Sequence, residues 1–283
     1  MKVTFIADMF ASEYRGGAEL TTDAFITHGL NKSHDINGLH SSRATIEEIK
    51  KLEDGHFIVG NFSKLPHEVM LYMCKNTDYS IIEYDYKLCQ YRSLKKHKIN
   101  TGKECDCLEG MGGKLIQAFY SYAKKIWFMS EGQKNIFLSK INTLKEEKCT
   151  VLSSAFSEGD LRFMQSLKNN EKNNKYLILG GDNWIKNSKG CIEYARKNNL
   201  NFETVQGLPY HELLIKLSTS KGLIFMPLDY DTCPRLVIEA KLLGCDLVLN
   251  EHVQHKDEEW FKTQESCYEY LKTRPEYLWS FYE

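Results

Sequence analysis

Short apolar runs rich in Val, Ile, Phe and Tyr alternate along this chain with longer segments of helical period, and no other feature restricts the fold as much. A strand buried on both faces reads as a continuous apolar run. Parallel neighbours need a crossover between them, so the alternation predicts an α/β fold built on parallel sheets. In the first half the strand candidates are "KVTFIAD" (2–8), "HFIVGN" (56–61), "YSIIEYD" (79–85), "KIWFMS" (125–130) and "CTVLSS" (149–154). Helix candidates fall near 18–30, 44–53, 65–75, 111–122 and 131–141. The stretch "LKNNEKNNK" (167–175) is polar and reads as a linker. The pattern then restarts with "YLILGG" (176–181), "FETVQG" (202–207), "GLIFMPL" (222–228) and "DLVLN" (246–250), with helices near 188–199, 209–219 and 234–244.

The expected architecture is two Rossmann-like doubly wound lobes, residues 1–166 and 176–255, facing a central cleft. The aromatic-rich segment 256–283 carries no strand signal and reads as helices packing back on the first lobe. A chain of 283 residues is long enough for such a pair. Its formal net charge of −1 gives no field that would drive it onto nucleic acid or an anionic membrane. Nine cysteines without a signal peptide point to free thiols in a reducing cytoplasm, and no apolar run reaches the length of a transmembrane helix.

Open α/β sheets bind ligands in the loops after their strands. Three such loops carry polar chemistry. "YRGGAEL" (14–20) brings Gly16 and Gly17 to a helix start, where free amides favour an anion, although a Gly-Gly pair serves equally as a turn. "GGDNWIKNSKG" (180–190) brings Lys186 and Lys189 to the next helix, with Asn187 or Ser188 as its cap. In "DYDTCPRLVIEAKLLG" (229–244), Pro234 suits a first helical turn and Gly244 a helix end, which leaves amides around Cys233 to Leu236 as an anion site. Glu239 then lies among apolar neighbours, either paired with Arg235 at i, i+4 or accepting a ligand's paired hydroxyls.

These stretches, with "VQGLPYHEL" (205–213), resemble in order the family 4 type of GT-B glycosyltransferases, here in a short form. The match is strongest over 176–255 and in the first lobe rests on Gly16, Gly17 and Glu19. The resemblance implies a hexosyltransferase-type enzyme that takes a UDP- or GDP-linked sugar, retains anomeric configuration and needs no metal or other cofactor. Glu239 would hold the ribose. Lys189, helped by Lys186, and the turn of Thr232, Cys233, Pro234, Arg235 and Leu236 would hold the diphosphate. Gln206, Gly207 and Leu208 would lie near the base, and Asp231 would position the sugar. Two positions depart from the family pattern: Asp231 stands where glutamate is usual, and Asn183 where an arginine is usual.

For the acceptor, expected to be a glycan, a lipid-linked molecule or a small molecule, Asp85 is the acid nearest a strand end in the first lobe, with a capped turn as its other reading. Cys89, Cys105 and Cys107, with Cys74 or a histidine, offer the ligands of a tetrahedral zinc site without the paired C-x-x-C knuckles that mark one, so ordinary thiols are expected. Asp229-Tyr230-Asp231 has the form of a metal-binding Asp-x-Asp but sits before a helix rather than on a hairpin. Two other activities compete with the transferase: a non-catalytic nucleotide-sugar-binding module, and a transferase acting on modified DNA bases.

Overall fold

The computed structural model describes all of residues 1–283. The chain forms two compact units, Met1–Ala155 with Pro275–Glu283, and Phe156–Arg274.

The first unit holds six parallel strands, β1 (Lys2–Ala7), β2 (Asp35–His40), β3 (His56–Val59), β4 (Tyr79–Glu83), β5 (Lys125–Phe128) and β6 (Cys149–Val151), in the order β2-β1-β3-β4-β5-β6. Its helices are α1 (Gly17–Asn31), α2 (Ile46–Lys51), α3 (His67–Asn76), α4 (Leu94–Thr101), α5 (Met111–Tyr122) and α6 (Glu131–Lys140). Side-chain caps start several of them: Thr45 accepts from Glu48 N for α2, and Ser130 from Gln133 N for α6. The five strands expected here all form. β2 is an addition, because "DINGLH" is a half-exposed edge strand paired only to β1 and lacks the apolar run of a central strand.

The second unit contains α7 (Glu158–Leu167), β7 (Tyr176–Leu179), α8 (Ser188–Lys197), β8 (Phe202–Val205), α9 (Tyr210–Ser218), β9 (Gly222–Phe225), α10 (Arg235–Leu242), β10 (Asp246–Leu249) and α11 (Gln264–Lys272). Its strands are parallel in the order β10-β9-β7-β8. The division between units falls before α7, not at 167–175. The physical reason lies in α7, which buries Leu161 and Met164 and packs on α9, α10 and α11 of the second unit. The polar stretch behind it is anchored: Lys172 Nζ donates to Leu243 O at 2.7 Å and Asn170 Nδ2 to Ser218 Oγ at 2.7 Å. Asn170 and Lys172 thus tie the stretch to the second unit.

The C-terminal segment divides in the same way. Residues up to Arg274, including α11, belong to the second unit, and Pro275–Glu283 belong to the first. Trp279, at the end of α12 (Arg274–Trp279), is fully buried there. Its indole donates to Phe25 O at 2.9 Å and stacks on His34 at 4.6 Å. In both sheets the unit's first strand is internal, with its second strand on one side and its third on the other. The winding therefore reverses between β1 and β3 and again between β7 and β9, the switch points where such sheets bind ligands.

His255 is fully buried in the second unit, stacked on Trp260 at 5.4 Å and edge-on to Phe261 at 4.5 Å, and neither ring nitrogen has a partner. Burial pushes its pKa down to about 3 from the ordinary 6.5. The unfolded chain binds this proton at the ordinary value and the folded chain refuses it, so stability present above pH 6.5 is lost as pH falls toward 3. Between pH 6.5 and 5 the second unit should lose about 2 kcal/mol from this group alone. Urea titrations at the two pH values should show this loss in the native protein and a clearly smaller one in His255→Phe.

Candidate functional site

At the switch point of the second unit, the loops after β7 and β9 are bonded to one another. Leu228 N donates to Ile185 O at 2.8 Å, and Asn187 Nδ2 donates to Met226 O at 2.9 Å. Asn187 is also the cap of α8, with its Oδ1 accepting from Gly190 N at 3.2 Å. A Cβ at Gly190 would lie 2.5 Å from Asn187 Nδ2, so glycine is required for the cap to fold over the helix start. Lys189, in the first turn of α8, is exposed and makes no ion pair or hydrogen bond. Lys186 stands in the turn Trp184–Lys186, over the Phe225 ring at 5.0 Å, and its ammonium meets Asp231 Oδ2 at 2.7 Å.

Asp231 is fixed by its backbone as well. Its N–H donates to His252 O at 2.9 Å and its carbonyl accepts from Gln254 N at 3.1 Å, in a parallel bridge to Val253. The acids of the Asp-x-Asp are engaged separately, because the buried Asp229 turns its Oδ1 onto Tyr230 N. Thr232, Cys233 and Pro234 are buried and lead into α10, and Leu236 is half-buried in its first turn. Gln206, Gly207 and Leu208 form an exposed turn after β8, with Gly207 at φ +69°. Gln206 packs on Gly180 and Gly181, so the loops after β7 and β8 are neighbours.

Arg235 and Glu239 are sealed, at 5% and 3% exposure. The Tyr210 hydroxyl donates to Glu239 Oε1 at 3.0 Å and accepts from Arg235 Nη2 at 3.1 Å. Arg235 Nε stands 3.5 Å from Glu239 Oε1, an ion pair without a hydrogen bond, and the guanidinium lies 3.8 Å over the Phe156 ring with Asp160 at 3.8 Å. Burial raises the Glu239 pKa against the pull of Arg235 and Tyr210. Arg235 is thus committed to the interior, and Lys186 is the cation that stands beside Asp231. Asp160 carries no motif, and Tyr210, although inside "VQGLPYHEL", is marked in the sequence only by its place at a helix start after proline.

In the first unit the loops after β1, β3 and β4 form a polar cluster. Asp8 accepts from the Ser41 and Ser63 hydroxyls and from Ser63 N and Lys64 N, which together outweigh burial and lower its pKa. Asp85 is bound by Arg92 and by Lys87 at 3.1 Å. Burial would raise its pKa, but these two cations prevail and lower it. Glu83, wholly buried, takes Lys87 at 3.0 Å and the Tyr120 hydroxyl, and burial pushes its pKa up. A Cβ at Gly16 would lie 2.4 Å from Glu19 Oε2, so the carboxylate of Glu19 folds back over the Gly-Gly turn.

A cavity of about 680 Å³ opens beside this cluster within the first unit, lined among others by Phe62, Leu65, Met70, Lys87, Arg92 and Ile116. Its walls combine apolar surface with two cations, a composition that suits an amphipathic or partly anionic molecule.

No family profile and no curated protein matches the sequence. Solved structures do match in fold. WaaG, a glycosyltransferase involved in lipopolysaccharide biosynthesis, aligns with 98% of this chain and 90% of its own at TM-score 0.55 and 11% identity. HepE of Anabaena in complex with UDP and glucose aligns over 98% and 95% at TM-score 0.54 and 9% identity. AviGT4, a glycosyltransferase involved in avilamycin A biosynthesis, aligns over 99% and 93% at TM-score 0.52 and 9% identity. The fold is that of the GT-B glycosyltransferases. No helix is long and apolar enough to cross a membrane.

The Tyr210 hydroxyl is the one neutral bridge between the sealed acid and base. Tyr210→Phe should lower the stability of the second unit by about 1–3 kcal/mol, because both partners stay buried with one bond fewer. Denaturant midpoints of the variant and the native protein measure the difference.

Proposed function

We propose that this chain is a glycosyltransferase that moves a hexose from a nucleoside-diphosphate sugar to an acceptor hydroxyl with retention of anomeric configuration. The observation that carries the reading is the Lys186–Asp231 pair at the β7/β9 switch point of a GT-B fold, with the exposed Lys189 three residues on in the first turn of α8. The three fold neighbours bear on the reading in kind: two are described as glycosyltransferases, and one holds UDP and glucose.

In this reading the bond between the anomeric carbon and the phosphate oxygen breaks, the acceptor oxygen bonds that carbon, and the acceptor proton leaves with the nucleoside diphosphate. Charge grows on the departing diphosphate. Lys189 and the first turn of α10 are the fixed positive groups for it, and preorganised groups of this kind lower such a barrier. Lys186 is shared with Asp231, and a bound diphosphate competes with that carboxylate for it. Asp231 in turn orients the sugar hydroxyls. The exposed turn of Gln206, Gly207 and Leu208 faces the base.

Tyr210 and Arg235 both meet Glu239 Oε1, so in this reading it is Oε2 that holds the ribose. Glu19 over the Gly16-Gly17 turn makes that turn suited to a hydroxyl-bearing sugar rather than to a phosphate. The cavity beside Lys87 and Arg92 receives the acceptor, a glycan, a lipid-linked molecule or a small molecule. Asp85, held by two cations, orients groups there rather than accepting a proton. No metal takes part in transfer, and the protein works in the cytoplasm.

The non-catalytic module is favoured over the DNA-base transferase as a second reading, by the saturation of Asp85 with Lys87 and Arg92. Incubation with UDP- and GDP-linked hexoses, with release of nucleoside diphosphate as readout, separates the two. Turnover that is unchanged by added Mg2+ or Mn2+ and falls about 10²-fold or more in Lys189→Ala supports the enzyme. Tight donor binding with no turnover under any acceptor supports the module. Asp231→Asn frees Lys186, so it should bind the nucleoside diphosphate at least as tightly as the native protein while transfer falls; weakened binding would contradict the role given to Asp231.

A further inference from the structure

The stretch between β4 and α5 brings together groups that the sugar chemistry leaves unused. Cys89 follows β4, His97 lies in the middle of α4, and Cys105 and Cys107 follow that helix. The Sγ atoms of the three cysteines and a ring nitrogen of His97 all lie within 4.8 Å of one another. Cys107 Sγ is 3.4 Å from His97 Nδ1, and Cys89 Sγ is 3.7 Å from it. Tetrahedral bonds of about 2.3 Å to sulfur and 2.0 Å to nitrogen set an S···N edge of about 3.6 Å. The measured edges bracket that value.

The other ring nitrogen of His97 supplies a second, independent observation. Its Nε2 faces Asp106 Oδ1 at 3.5 Å, the carboxylate partner that orients a metal-bound imidazole. Backbone donors approach the sulfurs too: Gln90 N reaches Cys107 Sγ at 3.5 Å, and Arg92, at φ +54°, closes a tight turn just after Cys89 with its N–H on Cys89 O. α4 itself offers a third. Its sequence "LKKHKINT" is polar on nearly every side, and His97 is its one fully buried residue. A helix without an apolar face has little hydrophobic reason to dock; beyond Leu94 against the core and Tyr91 edge-on to the His97 ring at 5.5 Å, its inward contacts are with the thiols. Gly102, at φ +72°, then reverses the chain so that Cys105 and Cys107 return to the same point.

We propose that Cys89, His97, Cys105 and Cys107 bind one zinc ion as a closed structural site that pins the β4–α5 segment. With four protein ligands no coordination position is left for substrate, so the ion holds structure and takes no part in transfer. Cys89 and Cys107 also line the cavity beside Lys87 and Arg92, so the ion fixes one wall of it. Among the alternatives the sequence left open, His97 is the fourth ligand. Cys74 is engaged elsewhere, 3.5 Å from the Tyr79 hydroxyl.

The test is elemental analysis of the full chain, purified without chelator or polyhistidine tag from zinc-supplemented cells. Close to one zinc per chain is expected, with Cys74→Ser retaining it and Cys105→Ser and Cys107→Ser each losing most of it. Replacement by Co2+ needs no variant and guards against misfolded ones. It should give the intense visible absorption of a tetrahedral ion together with sulfur-to-cobalt charge transfer. A folded native protein with far less than one zinc, whose cobalt spectrum is weak and octahedral, overturns the proposal, as does a disulfide among these cysteines in freshly prepared reducing lysate. None of these readouts depends on transferase activity, so their failure leaves the proposed function untouched.

Discussion

The second unit depends on a buried guanidinium. Taking an arginine out of water is costly unless its charge is paired, and Arg235 draws in Glu239, Tyr210, Asp160 and the face of Phe156, while its Nε stays without a hydrogen bond. Those partners come from α7, α9, α10 and the residue that opens the unit. Replacing any one of them leaves the others buried and short of a partner, so the cluster sets the position of α10. The start of α10 is in turn where Asp231, Thr232 and Cys233 lead, so the chemistry of the switch point inherits its geometry from a charge that itself never reaches solvent.

The first unit solves a different problem at the same place in its sheet. Its strand ends carry Asp8, Glu83 and Asp85, and three acids gathered at one edge would repel one another. Serine hydroxyls and amides absorb Asp8, while Lys87 and Arg92 absorb the other two. The result is a rigid polar floor beside an apolar cavity. The thiol–imidazole cluster stands at the wall of that cavity, beside a helix of little apolar surface.

Much of this architecture is legible in the sequence because parallel strands buried on both faces must be apolar throughout. Nine of the strands announce themselves in that way, and β2 does not because an edge strand pairs on one side only. The helices α4 and α7 and the unit boundary are harder to read. α4 lacks an apolar face, and the polar stretch after α7 looks like a linker although its lysine and asparagine side chains bind backbone and hydroxyl groups of the second unit. In the site, motif residues are legible and their partners are not. Tyr210, Asp160, Arg92 and His97 become meaningful only through contacts with residues far away in sequence, and spacing along the chain carries no trace of those contacts.

The two departures from the glycosyltransferase pattern become one feature when their positions are compared. Asn183, standing where an arginine is usual, accepts from Ile185 N at 3.2 Å and so opens the turn Trp184–Lys186. That turn delivers Lys186 to Asp231, the acid that is one methylene shorter than the usual glutamate. An arginine at 183 has no acceptor to form that turn. A glutamate at 231 would extend past the point at which Lys186 now meets the carboxylate. The asparagine and the aspartate are thus linked through Lys186: one forms the turn that carries the lysine, and the other receives its ammonium.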